Sequence, residues 1–221
     1  MRVQESYSEF PVRAVVVMGV SGSGKTTIGT HLAHLLGNAP FIDADTLHPL
    51  QNIEMMKHGQ PLTDSNRWPW LKRVREEIEK MSKQLLEGQG SLPSDTRQII
   101  STNGGEDSRG QRLFVVCACS ALKRSYREFL SRGDPDNANV GELTHDTVFV
   151  YVDVSKAELV QRLGMRRGHF FNVGLLDSQL ETLEPPDVTR EAAIAVYGDG
   201  SVEDVVQDAC RRVCGYVTKN T

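Results

Sequence analysis

A chain of 221 residues is long enough for one domain with a buried core, and its 39% hydrophobic and 24% charged content is typical of a globular protein. The formal net charge of −4 argues against general binding to nucleic acid or to an anionic membrane. The apolar runs are far shorter than the roughly 20 residues that span a bilayer, and the first ten residues lack the apolar stretch of a signal peptide, so we expect a cytoplasmic protein.

Five short apolar runs predict the strands of a sheet. They cover residues 12–18, 39–42, 113–119, 147–154 and 192–196. Most are continuously apolar and rich in β-branched residues, which is typical of strands that are covered on both faces. Between them lie stretches with helical spacing, at residues 26–36, 65–86, 156–165 and 202–217. This alternation predicts βαβ crossovers, and therefore an α/β fold with a parallel sheet.

Two polar, glycine-rich stretches do not fit the alternation. They are residues 88–111 and residues 133–146. We expect both to be surface insertions without a chemical role, carried by a single domain that covers residues 1–221.

The four cysteines form two close pairs, Cys117 with Cys119 and Cys210 with Cys214. Neither pair has the CxxC spacing that is usual in zinc sites. Each pair falls on one face of its own predicted element, so we interpret all four as reduced cysteines of the core.

The segment MGVSGSGKTT lies between the first strand and the first helix. From Gly19 to Thr26 it matches the pattern GxxxxGK[ST], in the strand–loop–helix setting that a phosphate-binding loop requires. Glycines let the backbone turn its N–H groups toward phosphate oxygens, while Lys25 supplies a positive charge and Thr26 a hydroxyl for Mg²⁺. The loop therefore predicts a site for a nucleoside triphosphate with magnesium. Its predicted ATP-binding residues are Gly19, Val20, Ser21, Gly22, Ser23, Gly24, Lys25, Thr26 and Thr27.

Two aspartates follow the second strand in FIDADTLHP. Asp43 and Asp45 are two residues apart at the carboxyl end of that strand, where open α/β sheets bind ligands. One carboxylate would complete the metal site, and the other would accept the proton of an attacking hydroxyl. Loop aspartates that cap a turn have the same pattern, and the sequence leaves both interpretations open.

Cationic side chains cluster at three places beside predicted strands or helix ends. They are Arg67 at the start of the long helix, Lys123, Arg124 and Arg127 after the third strand, and Arg162, Arg166, Arg167 and His169 in RLGMRRGHFF. Arg162 and Arg166 share a helix face, and we expect them to lack an acidic partner at helical spacing and to neutralise a bound anion. For Lys123 alone, a solvated surface position is the simpler interpretation. Together these features predict an ATP-dependent phosphotransferase whose acceptor carries hydroxyl groups and a negative charge.

The chain resembles the gluconokinases of the shikimate-kinase-like P-loop group. The segments that carry the resemblance are MGVSGSGKTT, DADTLHPLQNIEMM, HGQPLTDSNRWPWL, CSALKRSYR and RRGHFFNVGLLDSQLETLEPP. It implies a three-layer α/β/α fold with a five-stranded parallel sheet of order 2-3-1-4-5, as in nucleoside-monophosphate kinases. It also implies ATP- and Mg²⁺-dependent phosphorylation of D-gluconate at its 6-hydroxyl for the pentose phosphate pathway, and a homodimer. The two insertions are longer than in compact bacterial members and resemble those of fungal-type forms.

The resemblance further implies roles for individual residues. Lys25 would act at the phosphates, Asp45 as the base for the acceptor hydroxyl, and Thr26 with Asp43 at the metal. Gluconate would be held by Asp45, His48, Arg67, Lys123, Arg127 and His169. A lid of about residues 162–172 would close over ATP through Arg162, Arg166 and Arg167, and Arg162 and Lys123 would assist the transfer. We expect the turn at residues 199–202 to contribute to adenine binding through its backbone.

Two alternatives stay open. A kinase of another small hydroxy acid, such as shikimate, would also suit one arginine and two carboxylates. A nucleotide-gated binding module that hydrolyses ATP slowly would keep the phosphate-binding loop without an acceptor site. The presence of Asp45, His48 and Arg67 favours a kinase over such a module.

Overall fold

The computed structural model describes residues 12–88, 113–133, 145–165 and 173–219. The strands are β1 (Val12–Met18), β2 (Phe41–Asp43), β3 (Leu113–Ala118), β4 (His145–Asp153) and β5 (Ala193–Tyr197). The helices are α1 (Lys25–Leu35), α2 (Leu50–Lys57), α3 (Asp64–Gly88), α4 (Arg124–Arg132), α5 (Lys156–Met165), α6 (Val173–Thr182) and α7 (Val202–Lys219), with a 3-10 helix at Ala44–Leu47. Within these ranges, no helix is both long and apolar enough to cross a membrane.

The five strands form one parallel sheet in the order β2-β3-β1-β4-β5, which confirms the predicted order. Strand β1 lies at the centre, between β3 and β4, and all seven of its residues are buried. A central parallel strand is covered by helices on both faces, which is why the sequence of β1 is apolar apart from Arg13.

Alternate residues of β1 enter two separate core layers. Val15 and Val17 belong to the layer that also contains apolar residues of α1, α5, α6 and α7. Ala14 and Val16 belong to the layer that contains apolar residues of α3 and α4. Successive side chains of a strand point to opposite faces, so this division confirms the predicted arrangement of three layers.

Strand β4 begins earlier than the apolar pattern predicts. His145 and Asp146 were expected in the second insertion, yet both belong to the strand. Asp146 forms an ion pair with the buried guanidinium of Arg13 on β1, and this pairing offsets the cost of burying the Arg13 charge. Most of the rest of that predicted insertion (134–144) and most of the first (89–111) lie outside the described residues.

The cysteine prediction is confirmed for one pair and wrong for a member of the other. Cys117 and Cys119 are fully buried in the core, and all four thiols are free. Cys210 is half-buried on α7, but Cys214 is exposed. The four-residue spacing places both thiols on the same side of α7. That side is not the one that packs against the sheet, and only the packed side is fully buried.

Candidate active site

The phosphate-binding loop joins β1 to α1 and has the backbone that its glycines allow. Gly24 caps α1 at φ 90° without a side-chain hydrogen bond, and the amino end of a helix attracts anions such as phosphate. Gly22 has φ 86°, and a Cβ there would lie 2.9 Å from Leu163 of α5. Any larger residue at Gly22 would therefore strain the loop and push it away from α5.

Lys25 begins α1 and turns its side chain back over the loop. Its Nζ donates to the Val20 carbonyl oxygen at 2.9 Å. In this arrangement the ammonium group lies beside the loop amides, where it can meet the charge of a phosphate.

Asp43 connects the end of β2 to the start of α1. Its Oδ2 accepts a hydrogen bond from Thr26 Oγ1 at 3.1 Å, and its Oδ1 accepts one from the Asp45 backbone N–H at 3.0 Å. Asp43 thus caps the 3-10 helix Ala44–Leu47, as the turn-capping interpretation proposed. A carboxylate and a hydroxyl held together supply the hard oxygen ligands that Mg²⁺ prefers, so these residues also fit the predicted metal site.

A cavity beside the loop brings together residues from both halves of the predicted site. Its lining consists of Ser21, Lys25, Asp45, His48, Met56, Pro61, Leu62, Arg67, Trp70, Ser120, Leu122, Leu175, Ser178 and Gln179. Five residues of the predicted site share this cavity, namely Ser21, Lys25, Asp45, His48 and Arg67. It can hold a small polar molecule between the phosphate-binding loop and the cationic side chain of Arg67.

His48 is held in the cavity wall as a neutral ring. It is only 9% exposed, and it stacks on Trp70 with the ring centroids 4.2 Å apart. Burial lowers the pKa of His48, against the opposing effect of the Asp45 charge. Its Nδ1 lies 3.3 Å from the side-chain nitrogen of Asn52, which can only donate, so this contact favours the tautomer with the ring proton on Nε2. His48 can therefore offer an N–H donor to a hydroxyl group at neutral pH.

Arg67 lies at the start of α3 with only 8% of its surface exposed. One guanidinium nitrogen lies 4.0 Å from Asp64, which also accepts hydrogen bonds from Lys123 Nζ at 2.7 and 2.8 Å and from the Tyr126 hydroxyl at 2.6 Å. These hydrogen bonds, that of Lys123 first, lower the pKa of Asp64. Burial, aided by the bond to Asp64, raises the pKa of Tyr126 to about 12.

The predicted contact of Lys123 with substrate is not supported by this geometry. Its ammonium group is paired with Asp64, and Lys123 is not on the cavity lining. The neighbouring Leu122 occupies that lining instead. Lys123 thus lies behind Arg67, where it helps to balance the charge of Asp64.

Arg127 was predicted to bind the substrate, and the structure contradicts this. The side chain is 1% exposed, and its Nε and Nη2 pair with the Glu191 carboxylate at 2.6 and 2.9 Å. Its Nη1 donates to the carbonyl oxygens of Ala121, Leu122 and Glu184. Every nitrogen of the guanidinium is used within the protein, so Arg127 is a structural anchor.

The expectation that Arg162 lacks an acidic partner is also wrong. Its Nε donates to Glu158, one turn earlier on α5, at 2.8 Å, and its Nη2 donates to the Gly198 carbonyl oxygen at 2.7 Å. Arg162 thereby ties α5 to the turn after β5, the turn expected near adenine. Arg166, Arg167 and His169 lie outside the described residues, and the roles of all three stay predictions.

Helix α6 contributes residues that the sequence interpretation missed. Leu175, Ser178 and Gln179 line the cavity, and Gln179 Oε1 accepts a hydrogen bond from the Ser21 backbone N–H at 2.7 Å. The segment GLLDSQLETLEPP was noticed only through the family resemblance, because it carries neither a charged cluster nor a strand. The helical spacing of its apolar residues is a signal that could have predicted this helix and its buried face, which includes Leu176.

Comparison with known proteins extends this picture over nearly the whole chain. No protein-family model matches the sequence. A probable gluconokinase of Xenopus tropicalis is 40% identical over 199 residues, which are 88% of this chain and 90% of the relative. A gluconokinase of Gluconobacter oxydans (strain 621H) is 39% identical over 211 residues, 96% of this chain and 97% of the relative. The crystal structure of a gluconokinase from Sinorhizobium meliloti 1021 is 34% identical with a TM-score of 0.69, covering 95% of both chains. Sequence and fold agree along the same length, and the chain therefore belongs to the gluconokinase family.

Proposed function

We propose that this protein transfers the terminal phosphoryl group of ATP to the 6-hydroxyl of D-gluconate, giving 6-phospho-D-gluconate and ADP. The observation that carries the proposal is the shared cavity, in which Lys25 of the phosphate-binding loop meets Asp45, His48 and Arg67. The relatives named gluconokinase support the same acceptor.

On the nucleotide side, the loop amides and Lys25 bind the phosphates and orient the terminal one toward the cavity. Thr26 and Asp43 would hold Mg²⁺, which neutralises negative charge on the phosphates when it is bound. Phosphoryl transfer depends mainly on positioning and on charge stabilisation, and these residues provide both.

On the acceptor side, the charges of the cavity match a polyhydroxy acid anion. Arg67 binds the carboxylate, since a guanidinium can form two parallel hydrogen bonds with it. The Nε2–H of His48 donates to a hydroxyl group of the substrate. Asp45 accepts the proton of the attacking hydroxyl, which then bonds to the transferred phosphorus while the bond to the ADP oxygen breaks.

We propose one kinase domain, a homodimer in the cytoplasm, and a product that enters the pentose phosphate pathway. Arg162, Arg166 and Arg167 would close over ATP. These statements rest on the resemblance of the sequence to the family.

The test is ADP release by purified protein with ATP and Mg²⁺, with and without D-gluconate. The product is read by coupling to 6-phosphogluconate dehydrogenase, which responds only to the 6-phosphate. We expect ADP release to require gluconate and to be lost in Lys25→Met. ADP release that ignores gluconate would favour a nucleotide-gated module, and a stronger response to shikimate would favour another hydroxy-acid kinase.

A further inference from the structure

Helix α6 is held at the edge of the cavity by a core contact of its own and by hydrogen bonds of the chain that follows it. Leu176 is fully buried in the core layer of α1 and α7. Just after the helix, the Glu184 backbone N–H donates to the Leu122 carbonyl oxygen at 2.8 Å, and the Glu184 carboxylate accepts from the Arg124 backbone N–H at 2.7 Å. The position of Gln179 along the cavity wall is therefore set by the packing around α6.

Gln179 occupies an amide of the phosphate-binding loop. Its Oε1 accepts from the Ser21 N–H at 2.7 Å, over a separation of 158 residues in sequence. A backbone amide has one hydrogen to donate, so a phosphate oxygen that binds this amide must displace the glutamine carbonyl. A phosphate that binds the Ser21 amide would therefore compete with the carboxamide of Gln179.

Ser21 lies on the acceptor side of the loop. Of the loop and the first turn of α1, Ser21 and Lys25 are on the lining of the cavity, together with Asp45, His48 and Arg67. A phosphate oxygen at Ser21 thus belongs to the phosphate nearest the acceptor, which is the one to be transferred.

We propose that Gln179 has two successive partners. Before ATP binds, its carbonyl oxygen accepts from the Ser21 amide, and after ATP binds, its carboxamide binds the acceptor. When the terminal phosphate of ATP takes the amide, the carboxamide is released into the cavity that it already lines. There its carbonyl and two N–H donors bind hydroxyl groups of the sugar acid. The inference rests on the proposed function for the identity of the acceptor. Its consequence is that nucleotide binding raises the affinity for the acid, and the reverse by the same factor.

Two substitutions of Gln179 separate this role from a structural one. Gln179→Leu removes the competitor of phosphate and also the ligand of the acceptor. We expect the Kd of a non-hydrolysable ATP analogue, measured calorimetrically without gluconate, to fall about 2- to 10-fold. We expect the KM for gluconate to rise by a similar factor. Gln179→Glu still accepts from Ser21 but adds a negative charge beside the phosphates, so it should weaken analogue binding.

The control is Gln207→Leu, which removes an exposed glutamine on α7 and should change none of these constants. Weaker analogue binding by Gln179→Leu, or an unchanged KM for gluconate, would overturn the inference. Should Gln179→Leu lower the melting temperature, the Kd of the analogue decides, because a purely structural loss weakens analogue binding whereas removal of a competitor tightens it. A wild-type protein that does not phosphorylate gluconate would reject the proposed function, while the analogue measurements would still test the competition at Ser21.

Discussion

Asp45 differs from Asp43 in what its carboxylate is free to do. Asp43 uses one carboxylate oxygen for the backbone of the 3-10 helix and the other for Thr26. Asp45, two residues later, lines the cavity beside His48. The same short sequence therefore supplies one aspartate that shapes the turn and one that faces the acceptor.

The substitution Asp45→Asn tests the base. An amide of the same shape cannot accept the hydroxyl proton, so kcat should fall by about 10²- to 10⁴-fold. Binding of the ATP analogue should stay close to wild type, because the loop amides are unchanged. Near-normal turnover in this variant would remove Asp45 from the proton transfer.

The substitution Arg67→Ala tests the carboxylate site. Removing a buried cation that contacts an anion costs roughly 2–5 kcal/mol, so the KM for gluconate should rise steeply while the KM for ATP changes little. Lys72→Ala is a suitable control, since this exposed cation lies on the same helix. An effect confined to the KM for ATP would mean that Arg67 belongs to the nucleotide side.

At the scale of elements, Arg127 fastens α4 to the segment between α6 and β5. The guanidinium spans from the Glu184 carbonyl oxygen to the Glu191 carboxylate, and hydrogen bonding to Arg127 lowers the pKa of Glu191. Because this segment follows α6 directly, the anchor also helps to position Gln179. A cation that sequence reasoning assigned to the substrate thus supports the cavity from behind.

The substitution Arg127→Met should destabilise the fold by about 3–5 kcal/mol, because it leaves the Glu191 carboxylate unpaired in a largely buried site. The measurement is the free energy of unfolding in urea. Arg124→Met breaks an exposed pair on the same helix, Arg124 with Glu128, and should cost less than about 1 kcal/mol. Equal losses of unfolding free energy in the two variants would show that the Arg127 network stabilises the fold no more than a surface ion pair does.

The strands and the long helices were predictable because burial on both faces leaves a continuous apolar signal. β1 and α5 have the predicted bounds without change. Helix α2 was missed because Asn52 is its buried residue, and α4 was missed because Arg127 occupies part of its buried face. In both helices a polar side chain is buried by hydrogen bonding, which an apolar periodicity cannot register.

The site was predictable where a motif fixes the chemistry, and not where tertiary contacts assign a charge. The loop from Gly19 to Thr26 was read from local spacing alone. Arg67 and Arg127 cannot be told apart by their local sequence. Arg67 lines the cavity, whereas Arg127 is paired with Glu191, 64 residues away along the chain. Such long-range pairing decides which cation is left for a ligand, and no local pattern carries that information.

At the scale of the whole molecule, a buried histidine at the amino end of β4 makes stability sensitive to acid. His145 is 1% exposed beside Val12 of β1, and neither ring nitrogen has a hydrogen-bond partner in the described part of the chain. Burial, with a smaller contribution from the positive charge of Arg75, lowers the pKa of His145 to about 4. Arg75 is itself paired with Glu79 and donates to the carbonyl oxygen of Leu130 on α4.

A histidine whose pKa is lower in the folded than in the unfolded chain favours unfolding as the pH falls. Between about pH 6.5 and pH 4 the unfolded chain binds the extra proton, so this one group should remove at most roughly 3 kcal/mol of stability across that window. His145→Leu should not show that loss of stability. Urea unfolding of the wild type and of His145→Leu at pH 7 and at pH 4.5 would measure the difference. Comparing the two proteins cancels the protonation of carboxylates, and His31→Gln, at an exposed position of α1, controls for the loss of a histidine. If the wild type and His145→Leu lose the same stability on acidification, the buried ring at β4 is not the acid-sensitive group.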